Sequence, residues 1–231
     1  MSFELLPNEE SSQVRIICFP FAGGNKYSYN KLFGNIIEFF FINGGVKGLK
    51  LEEEELLDLI TQEIIRLSIN NDYVIYGHSM GALIGYLVCQ RIEELRIKKP
   101  LKLIISGMDA PSIKREILIS HLPDKLFWEE IIKFGGIPDE LMNFPELIDF
   151  YTPILKADLS AVENYRYTKR EKLTVPIDVF YGSKDTTIEK IKGWEEETTE
   201  KVTIMQMNGN HFFIFDHIEF FTEYFKNIVK I

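Results

Sequence analysis

The run Tyr73-Val74-Ile75-Tyr76-Gly77-His78-Ser79-Met80-Gly81-Ala82 sets the pattern G-x-S-x-G between four apolar or aromatic strand formers and the helix-forming stretch Ala82-Leu83-Ile84-Gly85-Tyr86-Leu87-Val88. A serine in such a strand-to-helix turn has a strained backbone, and only glycine at the flanking positions keeps side chains from colliding. Gly77 and Gly81 meet that need. The turn makes Ser79 a candidate nucleophile near the positive end of the following helix dipole. There the Met80 amide can donate to the oxygen of a tetrahedral intermediate.

Around this unit, apolar runs alternate with longer segments of helical period. The strand candidates are Arg15–Pro20, Glu38–Asn43, Asp72–Gly77, Lys102–Gly107, Ile177–Gly182 and Lys201–Met207. Leu56, Leu57, Leu59, Ile60, Ile64 and Leu67 form a helical stripe before the elbow strand; Ile218, Phe221, Tyr224, Phe225 and Ile228 form another at the C-terminus. This βαβα order predicts an α/β fold, a mainly parallel sheet flanked by helices. The stretch from about Asp109 to Arg170 interrupts the order with short helical patterns, five prolines and Gly135-Gly136. It reads as a helical lid inserted after a strand, where an open α/β sheet binds its ligands. Phe127, Trp128, Phe134, Phe144, Phe150 and Tyr151 are its candidates for lining an apolar channel, and the prolines and glycines are expected to join short helices by bendable links.

At 231 residues, 45% hydrophobic and 26% charged, the chain suits one domain, 1–231, with a full core. No apolar run approaches the length of a membrane span, and the N-terminus lacks a signal-peptide layout, so a cytoplasmic protein is expected. Cys18 and Cys89 read as buried thiols in a strand and a helix, and a metal site has no support. A formal net charge of -9 argues against general binding to nucleic acid or anionic membrane. Two small basic clusters, Lys98-Lys99 with Lys102 and Lys169-Arg170 with Lys172, are either a solvated surface or a local patch for an acidic partner.

A serine hydroxyl needs a base to take its proton and a carboxylate to orient that base. Of the four histidines, His78 sits in the elbow with its side chain expected to point away from the reaction side, His121 lies in the lid, and His217 opens the last helix. His211 follows the last strand and the turn Asn208-Gly209-Asn210, at the carboxyl end of a strand, and is the candidate base. Asp185, in Gly182-Ser183-Lys184-Asp185 beyond Ile177–Tyr181, is the candidate acid, although it also stands where it could cap a helix beginning near Ile188. Asp178 and Asp216 are its rivals. The order Ser79, Asp185, His211 is that of the α/β-hydrolases. Phe19-Pro20-Phe21-Ala22-Gly23-Gly24 follows the first strand, and its Phe21 amide, or failing that Ala22, is the candidate second oxyanion donor beside Met80.

These segments resemble the type II, or external, thioesterases of nonribosomal peptide and polyketide synthases. The likeness runs nearly end to end. It rests on Phe19 to Gly24 with Tyr27 to Phe33, Gly77 to Ala82, and Ser106-Gly107 with Ala110-Pro111. It continues through Leu155-Lys156-Ala157-Asp158 with Glu163-Asn164-Tyr165, Gly182 to Asp185 with Trp194, and Gly209 to Phe213. The resemblance implies an α/β-hydrolase fold and a monomeric enzyme that hydrolyses acyl groups from the phosphopantetheine arm of carrier proteins, clearing stalled or misprimed units. It implies no cofactor, since the pantetheine belongs to the substrate. The loop Gly44-Gly45-Val46-Lys47-Gly48 departs from the family's longer P-G-R type arm. The same triad would serve a dedicated product-releasing thioesterase, a small-molecule carboxylesterase or an acyltransferase. A non-catalytic carrier-binding module would not need it.

Overall fold

The computed structural model describes residues 14–25, 27–33, 50–51, 53–68, 71–137 and 139–229. Among these, β1 (Val14–Phe19), β2 (Asp72–His78), β3 (Leu103–Ser106), β4 (Ile177–Gly182) and β5 (Val202–Met207) form a parallel sheet in sequential order. Each expected strand within the described residues is present, with ends shifted by a residue or so. The expected strand Glu38–Asn43 and the loop Gly44–Gly48 lie outside the described residues.

Side chains alternate across the sheet and build a core on each face. Ile17, Phe19, Ile75, Ile105 and Val179 pack on one side with α2 (Glu54–Ser68) and α3 (Met80–Glu94). Ile16, Cys18, Val74, Tyr76 and Phe180 pack on the other with α1 (Asn30–Phe33) and the C-terminal helix α7 (Ile218–Val229). α2 and α3, which precede and follow β2, share one face, and α1 and α7 cover the other. The expected stripes are the buried ones, except that Leu59 on α2 is turned out to solvent and Ile218 and Tyr224 on α7 are only partly covered. Cys18 and Cys89 are buried free thiols.

Between β3 and β4 the chain forms α4 (Asp124–Lys133), a short 3-10 turn (Asp139–Asn143) and α5 (Pro145–Asn164). Ile119, Phe127, Trp128 and Ile131 make a small core of their own, separate from the two sheet cores. The far end of α5 belongs elsewhere: Ala161 and Val162 pack into the main core beside α3. Pro145 opens α5, as expected of a residue whose missing N–H is not needed there. Pro153, expected to interrupt the lid, lies inside this 20-residue helix. Tertiary contacts override the local penalty: Trp128 Nε1–H donates to Thr152 Oγ1 at 2.8 Å, and Asp158 is buried against the core. A short helix α6 (Ile188–Lys192) connects β4 to β5.

The basic clusters are tied into the fold. Lys98 pairs with Asp72 at 2.9 Å and Lys102 with Asp178 at 2.7 Å, at the ends of the strands opposite Ser79. Arg170 pairs with Glu94 and Lys172 with Glu196. No described helix is long and apolar enough to cross a membrane.

Candidate active site

β2 ends at His78 and α3 begins at Met80, so Ser79 alone makes the turn, with φ 54° and ψ -119°. A left-handed backbone on a residue with a Cβ costs energy and persists only where the surroundings enforce it. Here they do. A Cβ on Gly81 would stand 2.0 Å from the Phe19 carbonyl oxygen, and one on Gly77 would stand 2.1 Å from that of Gly81. The first strand, the elbow strand and α3 thus approach through the two glycines, and the Ser79 amide donates to the Ser106 carbonyl at 2.9 Å.

Asp185 and His211 lie on neighbouring loops at the carboxyl ends of β4 and β5. Those loops are fastened together: the Ser183 amide donates to the Met207 carbonyl at 2.8 Å and the Lys184 amide to that of Gly209 at 2.9 Å. His211 Nδ1 lies 2.9 and 3.0 Å from the two Asp185 carboxylate oxygens, so the proton sits on Nδ1 and Nε2 carries the free lone pair. Asp178, the rival acid, is buried in an ion pair with Lys102 and accepts from the Tyr224 hydroxyl. His217 lies against the Asn208 carbonyl at 2.7 Å, and His121 is exposed on the lid segment.

Ser79 and His211 line one cavity of about 340 Å³ with Phe21, Ala22 and Gly23. Among the described residues the amides of Phe21 and Met80 donate to no other protein group, which leaves both for a ligand oxygen. The Phe21 loop is fixed to the lid, since the Gly23 amide donates to the buried Asp158 carboxylate on α5 at 2.9 Å. The rest of the wall is mostly apolar and comes from the lid, including Trp128, Ile131, Phe134, Ile137, Tyr151 and Leu155. Of the six aromatics expected to line a channel, three do. Phe127 is buried in the lid's own core, and Phe144 and Phe150 face solvent.

His78, expected to point away from the reaction side, does not line the cavity. Its ring is fully buried under the site, 5.0 Å from the His211 ring and 5.2 Å from that of Phe212. Nδ1 lies 2.9 Å from Ser106 Oγ, which in turn lies 2.9 Å from the Tyr76 hydroxyl, while Nε2 has no hydrogen-bond partner among the described residues. Burial, and then the nearby His211, hold its pKa well below the usual imidazole range, so it is a neutral ring. A Cβ on Gly107 would meet this ring at 2.5 Å. Gly135 and Gly136, expected in a bendable link, are closely packed. Both adopt left-handed φ, at 77° and 79°, and added Cβ atoms would strike Asn210 and Phe212 at 2.3 and 2.6 Å. They press the lid onto the loop that carries the base, and Phe134 beside them stands 5.4 Å from the His211 ring.

The chain is similar to known proteins in both sequence and fold. The family profile of the thioesterase domain matches residues 14–230. The gramicidin S biosynthesis protein GrsT of Aneurinibacillus migulanus is 29% identical over 218 residues, 89% of this chain and 85% of that protein. The medium-chain S-acyl fatty acid synthase thioesterase of Rattus norvegicus is 26% identical over 94% of this chain and 88% of its own length. Among solved structures, YbtT, a type II thioesterase from the yersiniabactin pathway, superposes with a TM-score of 0.79 at 26% identity, covering 99% of this chain and 96% of that one.

Proposed function

We propose that this chain, which belongs to the thioesterase domain family and is an acyl thioester hydrolase, acts through a Ser79–His211–Asp185 triad on acyl groups carried by phosphopantetheine. The observation that carries the reading is the His211–Asp185 contact at 2.9 Å, with His211 lining the same cavity as the strained Ser79. His211 Nε2 takes the Ser79 proton as Oγ attacks the thioester carbonyl. Asp185 holds the tautomer and offsets the charge of the imidazolium that forms, and the Phe21 and Met80 amides stabilise the oxyanion. His211 returns the proton to the departing thiolate. Water then enters by the same base and releases the acid from Ser79.

The substrate side follows from the cavity. Its apolar wall is contributed by the lid, a segment we take to be an insertion of about 109–170 in a single domain, 1–231. Such a wall distinguishes acyl chains only weakly per methylene, which suits an enzyme that clears varied stalled or misprimed units from carrier-protein domains. Nothing in this chemistry calls for a cofactor or metal, and the pantetheine arrives with the substrate. We take the enzyme to be a cytoplasmic monomer whose partners are acyl or peptidyl carrier proteins, as the pathway names of YbtT and GrsT suggest. The likeness to a fatty acid synthase thioesterase favours one other reading, a dedicated product-releasing enzyme. Hydrolysis measured from acetyl to decanoyl, on a carrier protein and on coenzyme A, separates the two. Broad acceptance with a gain from the carrier supports editing. A preference beyond about a thousandfold for one chain with no carrier gain supports product release, because a pocket reaches that only by several unfavourable methylene contacts at about 1–3 kcal/mol each.

A further inference from the structure

Arg115 is the one guanidinium or ammonium group among the residues lining the cavity, and no carboxylate lines it. It stands on the segment between β3 and α4, exposed on one side and bordering the cavity on the other. Its polar contact among the described residues is weak: a guanidinium nitrogen lies 3.1 Å from the Met108 thioether sulfur. Three carboxylates act on it from beyond ion-pair distance, those of Asp109, Glu163 and Asp185. Each is already engaged. Asp109 accepts from the Thr186 hydroxyl, Glu163 from the Ile119 and Ser120 amides at 2.7 and 3.1 Å, and Asp185 from His211. Among the described residues, then, a fork of five N–H donors borders an apolar active-site cavity with no anion to complete it.

We propose that Arg115 is the anion-recognition residue of this site, binding two oxygens of a phosphate or carboxylate on the thioester substrate. The assignment rests on the thioester reading above. Two groups of such a substrate carry that chemistry: the phosphate of the pantetheine arm and a terminal carboxylate on the acyl chain. A planar fork suits either, by paired parallel hydrogen bonds that a lysine cannot reproduce.

The test uses the intact enzyme and its Arg115→Gln and Arg115→Lys variants on four thioesters: butyryl-N-acetylcysteamine, butyryl-pantetheine, butyryl-4′-phosphopantetheine and succinyl-N-acetylcysteamine. The first two carry no anion. Arg115→Gln is expected to leave kcat/KM on both within about twofold, and to raise KM by about ten- to a hundredfold on the thioester whose anion is recognised, the loss expected of one charge-assisted pair. Arg115→Lys restores part of that loss. A loss confined to the phosphopantetheine substrate assigns the arm, and one confined to the succinyl substrate assigns the acyl end. An equal loss on all four substrates, or on none, overturns the proposal. A wild-type enzyme inactive on every one of them, the neutral ones included, overturns instead the thioesterase reading beneath it.

Discussion

The elbow that carries Ser79 and the lid that faces it across the cavity are held by different means. At the elbow, backbone meets backbone: Gly77 and Gly81 leave no space for a methyl group, and the turn is sandwiched between β1, β2 and α3, all in the main core. The lid has a core of four buried side chains and leaves Phe144 and Phe150 in solvent, with Phe150 61% exposed. The two regions divide the labour. Strain at a nucleophile survives only where the surroundings leave no alternative, whereas a wall that accepts varied chains benefits from side chains with freedom to rearrange. α5 joins the two regimes. Ala161 and Val162 near its C-terminus are anchored in the main core, Asp158 holds Gly23, and Ile148, Tyr151, Leu155 and Leu159 pack on the lid core.

The sharpest break between the two regions lies in catalysis. His211→Ala and Asp185→Asn are expected to lower kcat by about three to six powers of ten on every acyl chain, with the melting temperature little changed, whereas Asp178→Asn leaves kcat near wild type and costs stability. A dead Asp178→Asn with a live Asp185→Asn would move the acid. Gly81→Ala comes next. Its Cβ would lie 2.0 Å from a backbone oxygen that cannot yield, so a destabilisation above about 4 kcal/mol is expected, read in a denaturant titration or as loss of soluble protein. Tolerance there would show that the elbow is less tightly enforced than described.

In the lid the effects should depend on the substrate. Trp128 lines the cavity and bonds Thr152, and Trp128→Ala is expected to lower kcat/KM for decanoyl thioesters about ten- to two-hundredfold while sparing acetyl. Equal losses on both chains would make the lid part of the catalytic scaffold. The smallest effect concerns pH. Because burial depresses the His78 pKa in the folded state, the unfolded chain binds its proton first. Stability is therefore complete above about pH 6.5 and declines as pH falls below it, at about 1.4 kcal/mol per pH unit for one proton. His78→Gln should flatten that slope between pH 6.5 and 5 in urea titrations, and an unchanged slope would mean that His78 protonates in place.

The His211–Asp185 contact and the turn at Ser79 are legible from the chain because their signals are local: a glycine-flanked serine, and an acid and a histidine each just beyond an apolar strand. The sheet was legible for the same reason, through alternation of period. What escaped depends on contacts far apart in sequence. Nothing near His78 says that its ring lies beneath His211, and the role of Asp158 at Gly23 exists only once α5 crosses the first loop. The lid aromatics were visible as a group, but which of them face the cavity depends on how α4 and α5 are rotated against each other, so Trp128 and Phe150 could not be told apart. Pro153 lies within α5 because a helix braced along its length tolerates a residue that would end an isolated one. Arg115 carried no motif at all. Its place in the cavity wall emerges only with the fold.

The central claim is that Ser79 is a nucleophile activated by His211. The most direct test is to react the protein with a fluorophosphonate, which phosphonylates activated serines, and to locate the adduct by peptide mass spectrometry. A single adduct on Ser79, abolished by Ser79→Ala and slowed at least a hundredfold by His211→Ala, is the predicted result. An adduct on another serine, or one on Ser79 that forms at the same rate without His211, would contradict it.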